Sequence, residues 1–306
     1  MKPKAAKNYH RFTHAAMGTV FEIKISHDDY QYAKFASTEA FRLLDTLEQY
    51  LSRFIANSDI SRISNLEIGE WTKVSVETYE CLMQCVDMYR LSAGVFDVSI
   101  GALYDCWLDE KKRLKSPTPD EIAEAKEHVG LHKLSFDATQ FRVGMSGGPV
   151  HLDLGGFGKG YALDKMAELL TEWELTSFVL NGGQSSMLFR QPPAGEAGWD
   201  ITLSDPFNDY QPMRELRLHN VAIAGSGLQK GRHIIDPRSG EPLQNHRATW
   251  ALAPTAAFAD GLSTTFMILE YEKIKAICAT MPQYKAIILD DGAGRLEERL
   301  QVYGDI

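Results

Sequence analysis

The stretch "HLDLGGFGKGYALDKMAELL", residues 151–170, joins an apolar run to an amphipathic helix through a cluster of glycines carrying one lysine. Glycines between a strand and a helix let the backbone come close to something, and phosphate is the usual guest. Neither familiar phosphate loop is present. The dinucleotide fingerprint G-x-G-x-x-G fails, because Gly156 and Gly158 are followed by Tyr161 where the third glycine belongs. The P-loop fails as well, since Gly158-Lys159 would need a glycine at Asp153 and a hydroxyl at Gly160. A phosphate site here belongs to neither class.

Outward from this turn, Tyr161–Glu172 reads as a helix with Leu163, Met166, Ala167 and Leu170 on one face. Before it, residues 134–154 hold two or three short strands, "KLSFD", "FRVG" and "VHLDL". Earlier still, a strand is expected over 16–26, a long helix over 29–51 and another over 75–92, stopped by Gly94. Thr118, Pro119 and Glu121 form the capping box of a helix within 116–129. After the turn come strand patterns at 177–181, 185–189, 199–203, 214–218, 221–225 and 248–254. Helices at 257–269 and 271–280, a strand at 284–289 and a last short strand complete the chain. Strands follow one another more often than they alternate with helices, so the expected class is α+β, as one intimate two-lobed unit.

Composition narrows the function. The chain has 306 residues, 44% hydrophobic and 24% charged, with a formal charge of −9. Its one basic run, "EKKRLK" at 110–115, is a solvated loop or helix end rather than a phosphate-backbone surface, which argues against nucleic acid as a partner. No apolar stretch reaches membrane-spanning length. The basic N-terminus lacks the apolar core of a signal peptide, so the chain is expected in the cytoplasm as written, or exported if a leader has been removed. Cys81 and Cys85 stand four apart in a helical pattern, but no histidine or second pair completes a zinc set, and they read as core cysteines.

Three further stretches can carry chemistry. In "GRHIIDPRSG", 231–240, His233 closely precedes a turn nucleated by Asp236-Pro237 and closed by Gly240; the competing reading makes the histidine structural. In "AFADGLSTTFMIL", 257–269, Asp260 and Thr264 share a helix face, with Ser263 bordering it. That carboxylate and hydroxyl suit a hard cation such as Mg²⁺, completed by backbone carbonyls and substrate phosphates; the competing reading makes Asp260 a helix cap. In "GVFDVSIGALYDCW", 94–107, Asp97 either meets a ligand or serves as a buried turn aspartate. Together, a lysine-bearing glycine turn, a cation carboxylate and a histidine near a proline turn supply what nucleotide pyrophosphate chemistry needs.

The order of these pieces resembles the ApbE family of FAD:protein FMN transferases from about residue 12 to 290. "AMGT" (16–19) is similar to the family's M-G-T, and "LSRFIANSDISRISN" (51–65) to its serine-aromatic segment with S-x-[IL]-x-R-[IL]-N. "GVFDVSIGALYDCW" resembles G-x-F-D-[PI]-T-V-G-P-L-x-x-x-W, and "LDLGGFGKGYALD" matches D-L-G-[GA]-[IV]-[AG]-K-G-Y-A-x-D almost throughout. "VLNGGQ", "HIIDPRSGEPL" and "ADGLST" resemble the remaining motifs, N-x-G-G-D, H-I-[IL]-D-P-x-T-G-x-P and A-D-[AG]-x-x-T.

The resemblance implies an α+β, two-lobed fold over 12–306, preceded by an arm at 1–11, with FAD in the cleft between lobes. It implies Mg²⁺-dependent transfer of FMN from FAD to a Ser or Thr hydroxyl of an acceptor flavoprotein subunit, through a phosphoester, with release of AMP. Mg²⁺ would be held by Asp260, Thr264 and a backbone oxygen at Gly156, with Ser263 as a further ligand. FAD contacts would come from Met17, Phe54, Val95, Phe96, Asp97, Asp153, Lys159 and Ile235, and His233 stands at the catalytic histidine's position. The chain departs from the family's pattern at Phe54 (for tyrosine), Ser99, Ala102 and Gln184, and at Ile223-Ala224-Gly225 in place of T-S-G. Two alternatives therefore accompany the transferase: an FAD pyrophosphatase giving FMN and AMP, and a flavin-binding protein without turnover.

Overall fold

The computed structural model describes residues 9–109, 113–183, 185–228 and 233–306. Gln184, residues 110–112 of the basic run, the first eight residues of the expected arm and residues 229–232 before His233 lie outside these. The chain opens with a hairpin, β1 (His10–Ala16) and β2 (Thr19–Ile25), turned through Met17 and Gly18 at φ of 49° and 69°. Where one strand over 16–26 is expected there are thus two, and His10 and Arg11 of the expected arm already belong to the sheet.

Helix α1 (Tyr30–Leu51) follows, its first amides taken by the Asp29 carboxylate. The next segment holds α2 (Asp59–Ser64), β3 (Trp71–Lys73), α3 (Val76–Leu91), α4 (Gly101–Trp107) and α5 (Pro119–Glu127). The α5 start carries the expected Thr118–Glu121 capping box. β5 (Arg142–Met145) pairs with both β3 and β4 (Leu134–Asp137) in a small antiparallel sheet. The third expected strand, "VHLDL", is extended chain touching Ile100 through a single bridge at His151. Helix α6 (Gly158–Glu172) begins earlier than expected, so Lys159 sits in its first turn.

The second half supplies β6 (Phe178–Gly182), β7 (Ser186–Phe189), β8 (Trp199–Asp205), β9 (Gln211–Leu218) and β10 (Val221–Gly227). A two-residue hairpin, β11 (Ile235–Asp236) and β12 (Glu241–Pro242), precedes β13 (Arg247–Ala253), α7 (Ala256–Ile268) and α8 (Tyr271–Thr280). β14 (Lys285–Asp290), α9 (Leu296–Arg299) and β15 (Leu300–Tyr303) end the chain.

The main sheet runs β1-β2-β6-β7-β10-β13-β14-β15 with every pair antiparallel, which makes the fold α+β. Side chains alternate between its faces, and both faces are apolar. Ala222 and Ala224, Ala251 and Ala253, and Ala286 and Ile288 join the core built with α1, α6 and α7. Their neighbours Ile223, Leu252 and Ile287 point the other way, into a second cluster closed by Leu203, Leu216 and Leu218 of the β8–β9 hairpin. Gly160 lets α6 and α7 touch: a Cβ there would stand 2.2 Å from the Ala256 carbonyl oxygen. That contact brings the glycine turn and the Asp260 helix together.

Candidate functional site

Helix α7 does not use Asp260 as its cap. Its first amides are taken by Asp164 of α6, whose carboxylate accepts from Ala256 and Ala257 at 2.7 and 2.8 Å, and by the Thr255 hydroxyl, which accepts from Phe258 at 3.4 Å. Asp260 sits a turn further in, 5% exposed. Its Oδ1 accepts from the Ser186 hydroxyl at 2.7 Å and its Oδ2 from the Gly160 amide at 3.1 Å, with Lys159 Nζ 3.9 Å away. Lys159 also donates to the Gly155 carbonyl at 3.1 Å. The lysine therefore lies between the turn and the carboxylate.

One turn on, Thr264 lines a pocket with Gly156, and the two lie close: a Cβ on Gly156 would stand 3.3 Å from Thr264 Oγ1 and 3.4 Å from the Phe96 ring. Ser226, at the end of β10, lies 2.8 Å from the Ser263 hydroxyl and 3.4 Å from that of Thr264. Ser263 is fully buried and donates back to the Asp260 carbonyl at 2.9 Å. One carboxylate, several hydroxyls and close-lying backbone form an oxygen-only set that fits a hard cation whose other ligands come from water or phosphate. Among the described residues no group of three His, Cys, Asp or Glu gathers as a transition-metal site would require.

The pocket brings together many of the residues that the sequence nominates. Val95, Phe96, Asp97, Asp153, Gly156, Ile235 and Thr264 all line it, beside Val98, Ile100, Tyr104, Ile234 and Ile268. Asp97 is nevertheless wired inward: it accepts from the Ser99 amide and hydroxyl at 2.8 and 2.6 Å and from the Leu131 amide at 3.3 Å. Its side chain does the work of a buried turn aspartate, whatever its backbone offers the pocket. Asp153 accepts from its own loop at the Gly155 amide, 2.8 Å, and from Arg53 at 3.1 Å. Ile235 is held in the β11–β12 hairpin, whose turn docks on α4 and α5 through Trp107 Nε1 to the Gly240 carbonyl, 2.7 Å, and Lys126 to the Arg238 carbonyl, 3.0 Å. His233 is half-buried and directly precedes the lining residue Ile234.

Six nominated residues are not in the lining: Lys159, Asp260, Ser263 and His233 adjoin lining residues, whereas Met17 and Phe54 lie on other elements. Met17 forms the β1–β2 turn, its amide donating to Glu48 Oε1 at 2.8 Å, and the adjoining Thr19 packs against Gly183. Phe54 is 82% exposed, its ring beneath the Arg53 guanidinium at 5.4 Å. Sequence reasoning missed Arg53, Asp105, Ser186 and Ser226. Burial works against the Arg53 charge, but Asp153 and Asp105 outweigh it and raise the pKa. Burial likewise opposes ionisation of Asp105, yet the neighbouring His151 and the bonded Arg53 lower its pKa. Burial, reinforced by the Asp153 charge, raises that of Tyr104.

The sequence profile of the ApbE family matches residues 17–288. The chain belongs to the ApbE family. The FAD:protein FMN transferase of Haemophilus influenzae is 27% identical over 297 residues, covering 90% of this chain and 86% of its own. That of Chlamydia muridarum is 28% identical over 265 residues, covering 80% and 81%. Among solved structures, the ApbE protein of Thermotoga maritima superposes with a TM-score of 0.85 at 24% identity, covering 97% of both chains. The flavin transferase ApbE of Vibrio cholerae gives 0.83 at 22%, also covering 97% of both. Likeness at this identity concerns the fold; membership of the family makes the chain a transferase.

Proposed function

We propose that the chain transfers FMN from FAD to a Ser or Thr hydroxyl of an acceptor protein subunit and releases AMP. The observation that supports this most is the convergence of Asp260, Thr264, Lys159 and the Gly156 turn beside one pocket, drawn from two helices that Gly160 allows to touch. FAD would lie along Val95–Asp97, Asp153 and Ile235, in a cleft between two lobes as the family resemblance implies, with Met17 and Phe54 as outer contacts. Mg²⁺, held by Asp260, Thr264 and the Gly156 backbone with Ser263 as a further donor, would offset the pyrophosphate's charge. Lys159 would add a second positive charge on the same side.

In the reaction the acceptor oxygen forms a bond to the FMN phosphorus, and the bond from that phosphorus to the bridging oxygen breaks. AMP departs with the bridging oxygen. His233 would take the proton that the acceptor hydroxyl loses. If water entered instead, the same displacement would give free FMN, the pyrophosphatase outcome. One observation bears on that outcome: Ile223 and Ala224 are buried strand residues that bring no hydroxyl to the pocket, and on the same strand it is Ser226 that places one beside Thr264. Among the described residues no helix is long and apolar enough to cross a membrane.

The direct test is Asp260→Ala. The variant is expected to keep its fold by circular dichroism and to lose at least about a hundredfold in Mg²⁺-dependent AMP release, on the scale of removing a charge-stabilising group from a transition state. Near-wild-type release would remove Asp260 from the cation site.

A further inference from the structure

Arg53 touches two of the surfaces that the reading above gives to FAD. Its guanidinium donates from Nη1 to Asp153 Oδ2 at 3.1 Å and to the Gly101 carbonyl at 3.5 Å, and from Nη2 to Asp105 Oδ1. Its face covers the Phe54 ring, 5.4 Å from the centroid. The guanidinium side chain is 18% exposed and the Asp153 side chain 16%, whereas Phe54 is 82% exposed. Little but the cation above it supports that ring. The slot is shaped for its guest: a Cβ at Gly101 would stand 3.1 Å from Nη1 and 2.6 Å from the His151 carbonyl oxygen.

We propose that Arg53 is a positioning residue for FAD, fixing the Asp153 carboxylate on the pocket wall and the Phe54 ring beside it with one side chain. The proposal rests on the flavin reading above. Only a planar fork does both: its edge takes the carboxylates while its face stacks on the ring. A lysine at this position is a point charge that meets one carboxylate and leaves the ring unsupported. Without a cation, Asp153 and Asp105 face each other as like charges in a half-dry patch. Asp153 then turns away from its working position, and the cost falls on affinity for FAD.

The test measures FAD affinity of the full chain by flavin fluorescence, without divalent cation so that turnover does not intervene. Wild type, Arg53→Gln, Arg53→Lys, Asp153→Asn and the Arg53→Gln/Asp153→Asn double variant are compared, with a melting curve for each. Arg53→Gln is expected to weaken FAD binding roughly tenfold, and Arg53→Lys to weaken it measurably too, as loss of charge-assisted bonds implies. In the Asp153→Asn background the same Arg53 change should cost about threefold or less, because its partner is already gone. With FAD saturating and Mg²⁺ added, kcat of the single Arg53 variants should stay within about threefold of wild type while KM rises, a split that general loosening of the fold would not give. Two results overturn the proposal: folded Arg53 variants that bind FAD within about twofold of wild type, or an Arg53→Gln loss undiminished in the Asp153→Asn background. Should Arg53→Gln fail to fold, the charged Arg53→Lys variant decides by the same affinity criterion. Wild-type protein that does not bind FAD would overturn the flavin reading itself, and this proposal with it.

Discussion

The Asp260 carboxylate has one protein donor on each oxygen, Ser186 Oγ at 2.7 Å and the Gly160 amide at 3.1 Å, which fixes its plane and leaves lone pairs for a further partner. Ser186 is fully buried, so its hydroxyl has no water to fall back on. Ser186→Ala is expected to cost about 1–3 kcal/mol of stability, read from denaturant midpoints, because Oδ1 loses a charge-assisted bond in a dry place. The Mg²⁺ concentration needed for half-maximal turnover should rise in the same variant; an unchanged Mg²⁺ requirement would mean that the serine does not orient the carboxylate. At this scale the sequence was legible where spacing is local. Asp260 and Thr264 read as one helix face, and the Gly156–Lys159 turn reads from its glycines. Arg53 was not legible, because no spacing rule relates it to Asp153 a hundred residues later. Ser226 lies one residue past the strand expected at 221–225, and nothing local marks it.

Elements with their own chemical punctuation were the ones that could be read. Helix α5 declares itself through Thr118, Pro119 and Glu121, and α1 and α3 through long apolar stripes. Helix α4 has no side chain capping its start, and its seven residues are too few for a stripe. Strand β1 alternates half-buried and exposed residues at a sheet edge, with His, Arg and Thr among them, so the apolar alternation that reveals a strand is faint. The junction of α2 and α3 shows how a polar residue can matter more than its element's length. Buried Asp59 accepts from the Ser75 amide and hydroxyl, both at 2.8 Å, and from Arg62. Burial opposes its ionisation, but these bonds prevail and its pKa lies below the usual 3.8. A lowered carboxylate pKa stabilises the fold above the unfolded value and loses that contribution as pH falls through the folded value. Asp59→Asn should therefore destabilise the protein at neutral pH by about 1–3 kcal/mol and flatten the acid limb of its stability curve below about pH 4. Parallel acid limbs in the two proteins would contradict this.

The whole molecule is a long antiparallel sheet covered on both faces, by α1, α6 and α7 on one side and by the β8–β9 hairpin on the other. Consecutive strands made the α+β class readable, because β6, β7, β10, β13, β14 and β15 neighbour one another in chain order. The excursion of β8–β9 onto the outer face was not readable, since an apolar strand run looks the same whether it joins a sheet or covers one. The α6–α7 contact at Gly160 unites the opening glycine turn with the Asp260 helix, and the account of function rests on that junction. Its central claim is transfer to a protein hydroxyl, and the measurement that tests it most directly is a timed incubation with FAD and Mg²⁺, with and without a hydroxyl-bearing acceptor domain. AMP and free FMN are quantified by chromatography, and covalent flavin by in-gel fluorescence. The account predicts AMP formed in step with flavin fixed on the acceptor, with little free FMN. AMP matched by free FMN whether or not the acceptor is present would contradict it and make the protein a pyrophosphatase, and FAD left intact would leave only a flavin-binding protein.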